Sequence, residues 1–288
     1  MQDVIDLNIA DFSVKIHAES PVELESGYLP FVNKTDERMT DVDIYCYTGI
    51  PENPLADYQL VFEAENSEQK FYSIYMKNKA LGFIMYDQQN KNEIQQIAYL
   101  NEDLSIWKVY NPIDTENIPL PLKYPMGPIM MHYLAQKCGA VMMHASCTFD
   151  GQTGRMFTGF SGNGKSTMSK IWADAGNLIV NDDRIIIRKT REGYFAYNTP
   201  MFYQDIPKKA PLHAIYLISH FPENRLKKLT GAIAVSRVMA FCIQNNFEKN
   251  LINNHLEFFS AMCTKIPVFD LGFVPDASVI DCIHTHGI

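Results

Sequence analysis

Paired cysteines, a long apolar run and an excess of positive charge are all missing from this chain of 288 residues. The six cysteines, Cys46, Cys138, Cys147, Cys242, Cys263 and Cys282, are scattered, and none forms a C-x-x-C pair. The opening "MQDVIDLNIADF" has neither a basic start nor an apolar stretch, so no signal peptide is expected. Together these absences describe reduced thiols in a cytoplasmic protein. A membrane helix needs roughly 18 or more consecutive apolar residues. The nearest candidate, "PIMMHYLAQKCGAVMMH", is broken by Gln136, Lys137 and two histidines, so no membrane partner is expected. The net charge of −8 argues against DNA or RNA, whose phosphates favour basic partners. No internal repeat and no low-complexity tract occurs.

What is present divides in two. Residues 1–115 read as a β-rich (α+β) N-terminal module. "YQLVFEAE", "KFYSIYMK", "ALGFIMYD", "EIQQIAYL" and "SIWKVY" are short aromatic and β-branched runs separated by polar clusters, the pattern of an antiparallel sheet. Its aromatics look like a sheet core, and nothing in it names a ligand. The Pro-rich "NPIDTENIPLPLKYPMGP" reads as the link to a second module, residues 116–288. There "MGPIMMHYLAQKCG" fits a helix ending at Gly139. "AVMMHASCTF" and "GRMFTGF" fit two strands around a "DGQTG" turn. "KSTMSKIWADAG" fits a helix stopped at Gly176. "NLIVNDD" fits a short buried strand, "DRIIIRK" and "YFAYNTP" a hairpin, and "HAIYLIS" another strand. A helix follows with Thr230 at its cap, then the helix "NNHLEFFSAMCTK", the strand "IPVFDLGF" and a last helix capped by Asp276. Mixed strands and helices make this half α/β.

Between the second strand and its helix lies "GFSGNGKS", Gly159 to Ser166, which matches G-x-x-x-x-G-K-[ST]. The chemistry of each position is physical. Glycines let successive N–H groups turn inward toward anionic oxygens, and the following helix adds its positive end. Lys165 would neutralise β/γ-phosphates and Ser166 would offer a hydroxyl to Mg²⁺. Gly159, Ser161, Gly162, Asn163, Gly164, Lys165, Ser166 and Thr167 are therefore the expected phosphate-binding residues. Asp182 and Asp183 end the next apolar strand, where a nucleotide kinase needs one carboxylate for Mg²⁺ and another to take a proton from an attacking hydroxyl. His144, on the strand before the loop, is by its residues alone more simply a partly buried strand histidine.

These three features together resemble the HPr kinase/phosphorylase family, whose P-loop fold is shared with phosphoenolpyruvate carboxykinases. The shared order is a strand histidine, a turn, "FTGFSGNGKST" and then "VNDDRIII". The resemblance covers roughly residues 125–285 and is specific from 144 to 188. It implies an α/β P-loop C-terminal domain that binds ATP with Mg²⁺. By it, Gly159 to Ser166 bind the phosphates, Ser166 and Asp183 hold the metal, and Asp182 is the base toward a serine hydroxyl. The two aspartates could exchange roles. The resemblance also moves His144 into the site, beside the transferred phosphate. Family members often form rings, which implies a homo-oligomer. Three departures point away from HPr as the acceptor. Thr167 replaces the family's Glu, no Arg- and Gly-rich segment follows residue 205, and Gln204 stands where an acid is expected, with Asp205 beside it. The expected activity is thus transfer to a hydroxyl on another protein, peptide or small molecule, with a non-catalytic nucleotide-binding regulator as the alternative.

Other residues are read more plainly. Arg184 either reaches a phosphate or pairs with an acid. "NRLKKL" reads as a solvated basic turn, with contact to a nucleotide or acidic substrate as the lesser alternative, and Arg237 as a snorkelling side chain. The Met-rich runs read as core filler. His284 and His286 lack the partners a metal site needs.

Overall fold

The computed structural model describes residues 3–33, 39–90, 93–114, 118–243, 247 and 249–286. It is mixed α/β, and its contacts separate two compact units: residues 1–138 with 200–206, and residues 139–199 with 207–288.

Among the described residues the first unit is an eight-stranded sheet with one α-helix and a short 3-10 helix, Ser26–Phe31. Its strands are β1 (Asp3–Ile9), β2 (Phe12–Ala18), β3 (Val42–Thr48), β4 (Gln59–Glu65), β5 (Lys70–Lys77), β6 (Ala80–Tyr86), β7 (Ile94–Leu100) and β8 (Ile106–Asn111), in the order β1-β2-β3-β8-β7-β6-β5-β4. The five runs expected from alternation are β4 to β8, joined as antiparallel neighbours. The sheet is not wholly antiparallel, because β3 runs parallel to both β2 and β8. A parallel neighbour needs a long crossover rather than a tight hairpin, and residues 19–41 supply it between β2 and β3. Helix α1 (Met126–Lys137) belongs to this unit, because its Tyr133 packs edge-on against Phe83 (5.5 Å) and Trp107 (5.9 Å). The contacts therefore divide after α1, not in the Pro-rich stretch before it.

The second unit is built on a nine-stranded sheet. Its elements are β9 (Val141–Phe149), β10 (Gly154–Thr158), α2 (Lys165–Asp174), β11 (Leu178–Asn181), β12 (Arg184–Lys189), β13 (Tyr194–Asn198), β14 (Lys209–Pro211), β15 (Ala214–His220), β16 (Arg225–Leu229), α3 (Gly231–Met239), α4 (Lys249–Cys263), β17 (Val268–Phe273) and α5 (Ser278–His286). The strand order is β14-β13-β12-β9-β10-β15-β17-β16, with β11 also on β9. Alternate residues face opposite sides of a sheet, and two clusters follow. Met156, Ile215, Leu217 and Val268 pack with Val238 of α3 and Phe259 of α4. Phe157, Tyr216, Phe269 and Leu271 pack with Trp172 of α2 and Ile283 of α5. Helix α2 buries Lys165, Met168, Ser169 and Trp172, a one-sided stripe at helical spacing. Met130, Met131, Met142 and Met143 are all core residues.

Two surface readings change. "RLKKL" is not a turn but β16, an edge strand paired antiparallel with β17 and placing Lys227 opposite Asp270. Charged side chains on an edge strand discourage pairing with a second chain. Arg237 does not simply snorkel, because its guanidinium grips Asp270 with two bonds of 2.9 and 3.2 Å.

Candidate functional site

Strands β10, β15 and β17 are parallel neighbours. The carboxyl ends of parallel strands are where α/β sheets leave a crevice for ligands. The glycine-rich loop lies at that end. It leaves β10 at Thr158, turns through Gly159 to Gly164, and enters α2 at Lys165. Gly162 and Gly164 have positive φ angles, 83° and 93°, which side chains disfavour. Gly164 also touches the two neighbouring strand ends: a Cβ there would lie 2.7 Å from Phe273 Cζ and 3.0 Å from His220 Cε1. Asn163 fastens the loop by donating from Nδ2 to the Ile218 carbonyl at 2.9 Å.

Lys165 is buried, and its ammonium donates back to the loop carbonyls of Gly159 (3.0 Å) and Phe160 (3.3 Å). Burial pushes its pKa down, while the charge of Asp183 opposes that shift. Ser161, Gly162 and Ser166 are exposed, and Asn163 and Thr167 are half-buried.

The acidic pair sits across β9 from the loop. One edge of β9 pairs with β10, placing Ala145 opposite Thr158. The other edge is shared by β11 and β12, and the chain bends between them at Asp182 and Asp183. There the N–H of the same Ala145 donates to the Asp183 carbonyl at 3.0 Å. Loop and acids thus flank one residue of β9, about two inter-strand spacings or ~10 Å apart. The Thr158 hydroxyl strengthens the register by donating to the His144 carbonyl at 2.9 Å.

His144 lies opposite Arg184 in the β9–β12 register. Its Nδ1 is 3.2 Å from Asp183 Oδ1 and 3.1 Å from the Asp183 carbonyl. The hydrogen bond from His144 holds the Asp183 carboxyl below the usual carboxylate range; burial works against it, and Arg184 and Lys165 add to the lowering. Arg184 Nη1 is 3.6 Å from Asp183 Oδ2, so the acid-pairing alternative is the one the geometry contains.

Sequence reading passed over Asn181, which shapes this turn. Its Oδ1 accepts from the N–H groups of Asp182 (2.7 Å) and Asp183 (3.2 Å). The signal was available, since Asn commonly bonds the backbone just ahead of it in turns. It also passed over Arg155, whose buried guanidinium meets Asp150 at 2.6 Å and lies 4.8 Å from the Trp172 ring. Burial alone would raise the Asp150 pKa. The Thr153 N–H, Arg155 and the Gln152 N–H outweigh it and bring the group to about 2. The exposed ring of Phe160, within the loop, packs edge-on against Phe241 at 5.1 Å. His284 packs against Trp172 at 5.8 Å. No cluster of three or more His, Cys, Asp or Glu able to hold a metal occurs among the described residues. None of the described helices is long and apolar enough to cross a membrane.

Residues 129–204 match the family model of phosphoenolpyruvate carboxykinase, a segment that contains the loop and the acidic turn. Among solved structures, the Hpr(Ser) kinase/phosphatase from Coxiella burnetii is similar at 14% identity over 50% of this chain and 91% of its own, with a TM-score of 0.29. No curated protein matches the sequence.

Proposed function

We propose that the second unit is a phosphotransferase that moves the γ-phosphoryl group of MgATP to a hydroxyl, with serine as the acceptor type, on a protein, peptide or small molecule other than HPr. The observation that carries this is the joint placement of the glycine loop and the Asp182–Asp183 turn on either side of Ala145.

The donor set fits a magnesium-bound polyphosphate. Positive φ at Gly162 and Gly164 turns the loop as an anion cradle requires, and bare Cα atoms at Gly159 and Gly164 permit its close packing. Lys165 is a buried cation at the start of a helix. Mg²⁺ favours hard oxygen ligands and is commonly held by one or two side chains together with the substrate phosphates. The exposed Ser166 hydroxyl and the Asp183 carboxylate are such ligands.

Gly159, Ser161, Gly162, Asn163, Gly164 and Thr167 bind phosphate oxygens through the loop and the first helical turn. Lys165 exchanges its own loop carbonyls for β/γ oxygens. Its charge would offset the charge that develops as the β,γ-bridging P–O bond breaks, and Mg²⁺, when held by Ser166 and Asp183, would supply further positive charge there. Asp182 takes the acceptor's hydroxyl proton while the acceptor oxygen forms its bond to phosphorus, and ADP leaves. His144 keeps Asp183 ionised and oriented for the metal, and lies beside the transferred group. The match of residues 129–204 to a phosphoenolpyruvate carboxykinase family model supports ATP as the donor.

The test is to incubate phosphatase-treated extract with MgATP and the protein and to map new phosphosites by mass spectrometry. New phosphoserines that depend on Lys165 support the reading. New sites that appear equally with Lys165→Ala overturn it.

A further inference from the structure

The phosphate loop carries one large side chain that phosphate binding does not need. Phe160 stands between Gly159 and Ser161, and it is 71% exposed. The face of an aromatic ring is electronegative, so it offers nothing to a polyphosphate, and its exposure leaves apolar surface in water. The backbone of Phe160 marks its place along the site. Its carbonyl accepts from Lys165 Nζ, the group assigned to the β/γ-phosphates, at 3.3 Å. Phe160 therefore belongs to the end of the loop where the transferred group sits.

The ring is held on one side only. Phe241, which follows α3, packs edge-on against it with centroids 5.1 Å apart and is itself half-buried against the core. Phe241 is fixed to β9 through its backbone. Its carbonyl accepts the His144 N–H at 3.2 Å, Cys242 bridges Met143 in the antiparallel sense, and the Ile243 N–H donates to the Met142 carbonyl at 2.9 Å. Residues 241–243 thus occupy the β9 edge that β10 takes up from Ala145 onward. Opposed residues of an antiparallel pair point to the same face, with Cβ atoms about 4.5–5.5 Å apart. The Phe241 and His144 side chains therefore stand together, and His144 in turn reaches Asp183 at 3.2 Å. Phe160 and Phe241 form an aromatic ledge, separated from the acidic turn by His144.

We propose that this ledge selects the acceptor. It takes a large apolar side chain, leucine or phenylalanine, one or two residues away from the serine that receives the phosphate. The proposal rests on the phosphotransferase reading and narrows its acceptor to a peptide or polypeptide. A serine hydroxyl is the same group in every sequence, so Asp182 and the phosphate cannot tell one serine from another. A neighbouring side chain laid on an exposed aromatic surface can, because its burial there removes apolar area from water on both partners. The ledge is continuous with the phosphoryl site through His144, so a chain bound across it keeps its serine at the transferred group.

The experiment gives the full chain MgATP and acetyl-Ala-Ala-Ser-Ala-Ala-amide, beside the peptides in which one alanine at a time is replaced by leucine. At least one leucine peptide is phosphorylated with kcat/KM about tenfold above the parent, the difference lying in KM. Phe160→Ala erases that ratio and Phe160→Leu restores most of it. Both peptides meet the same nucleotide complex, so any effect of the variant on MgATP cancels in the ratio. Phe241→Ala lowers the ratio too; should it not fold, the exposed Phe160 decides alone. A ratio near one for every leucine peptide, or a ratio that Phe160→Ala leaves intact, overturns the proposal and leaves transfer to serine standing. The same peptides are titrated by calorimetry into the chain bound to Mg²⁺ and the β,γ-imido analogue of ATP. A leucine preference in binding that Phe160→Ala removes, without transfer from MgATP, upholds the ledge and fails the phosphotransferase reading. No saturable binding up to ~10 mM together with no transfer overturns both.

Discussion

Replacing Gly164 by alanine tests the geometry of the loop more sharply than deleting a charge, because two separable costs apply. The first is backbone strain. At φ 93° and ψ 26° the residue is left-handed, which costs a side chain about 1–2 kcal/mol. The second is steric. The added Cβ would lie 2.7 Å from Phe273 Cζ and 3.0 Å from His220 Cε1. Phe273 is completely buried and its ring packs at a tilt against His220, with centroids 5.0 Å apart, so neither can move without disturbing the other. Overpacking of this kind costs about 1–3 kcal/mol. Gly164→Ala should therefore destabilise the second unit by about 2–5 kcal/mol. Gly162 provides the control. Its φ is 83°, yet a Cβ there meets nothing within 4 Å, so Gly162→Ala should cost only the strain, about 1–2 kcal/mol. The chain has two tryptophans, Trp107 in the first unit and Trp172 in the second. In a Trp107→Phe background, Trp172 fluorescence during urea unfolding reports the second unit alone. If Gly162→Ala proves as costly as Gly164→Ala, or if Gly164→Ala costs under about 1 kcal/mol, the loop does not sit against those strand ends as described.

Three further outcomes are expected. Lys165→Ala should raise the MgATP dissociation constant about 10- to 100-fold by calorimetry, the worth of a charge-assisted bond; unchanged affinity would remove Lys165 from the phosphate site. His144→Leu should raise the Asp183 pKa, which His144 holds below its ordinary 3.8. A depressed carboxyl contributes stability that is full above its unfolded value and is lost as pH falls through its folded value, so in the variant the loss should be smaller and should be complete at higher pH. Carboxyl carbon-13 titration checks it, and an unmoved curve refutes the pairing. Arg155→Met breaks a buried pair and should cost about 3–5 kcal/mol near neutral pH. Since Asp150 titrates at about 2 in the folded chain against an ordinary 3.8, the stability gap between wild type and variant should narrow as pH falls from about 4 toward 2. A gap constant across that range would assign the cost to Arg155 packing alone.

Local chemistry was readable from the residues, and long-range pairing was not. The strands β4 to β8 show through their alternation, and Gly139 and Gly176 mark helix ends where each adopts positive φ. The loop between β10 and α2 shows because its glycines and lysine are contiguous. The position of β9 between the loop and the acidic turn could not be read, since strand order depends on crossovers that leave no local signature. For the same reason β3 was not seen as a parallel strand, and Arg237 was not matched with Asp270 across the packing of α3 on the sheet. "RLKKL" misled because an edge strand needs only one partner and tolerates charge on its open side. Thr230 occupies the helix cap, but its side chain makes no capping bond, a matter of rotamer that sequence does not carry.

The central claim is transfer of phosphate with Asp182 as the base. The measurement is incorporation of label from γ-labelled ATP with Mg²⁺ into an extract, wild type beside Asp182→Asn, with MgATP affinity measured for both. The account predicts a labelled acceptor with wild type, a loss of about 10²- to 10⁴-fold in the variant, and nearly equal affinity for MgATP. Equal labelling by the two proteins would contradict the role of Asp182, and no transfer by wild type despite tight MgATP binding would contradict phosphotransfer itself.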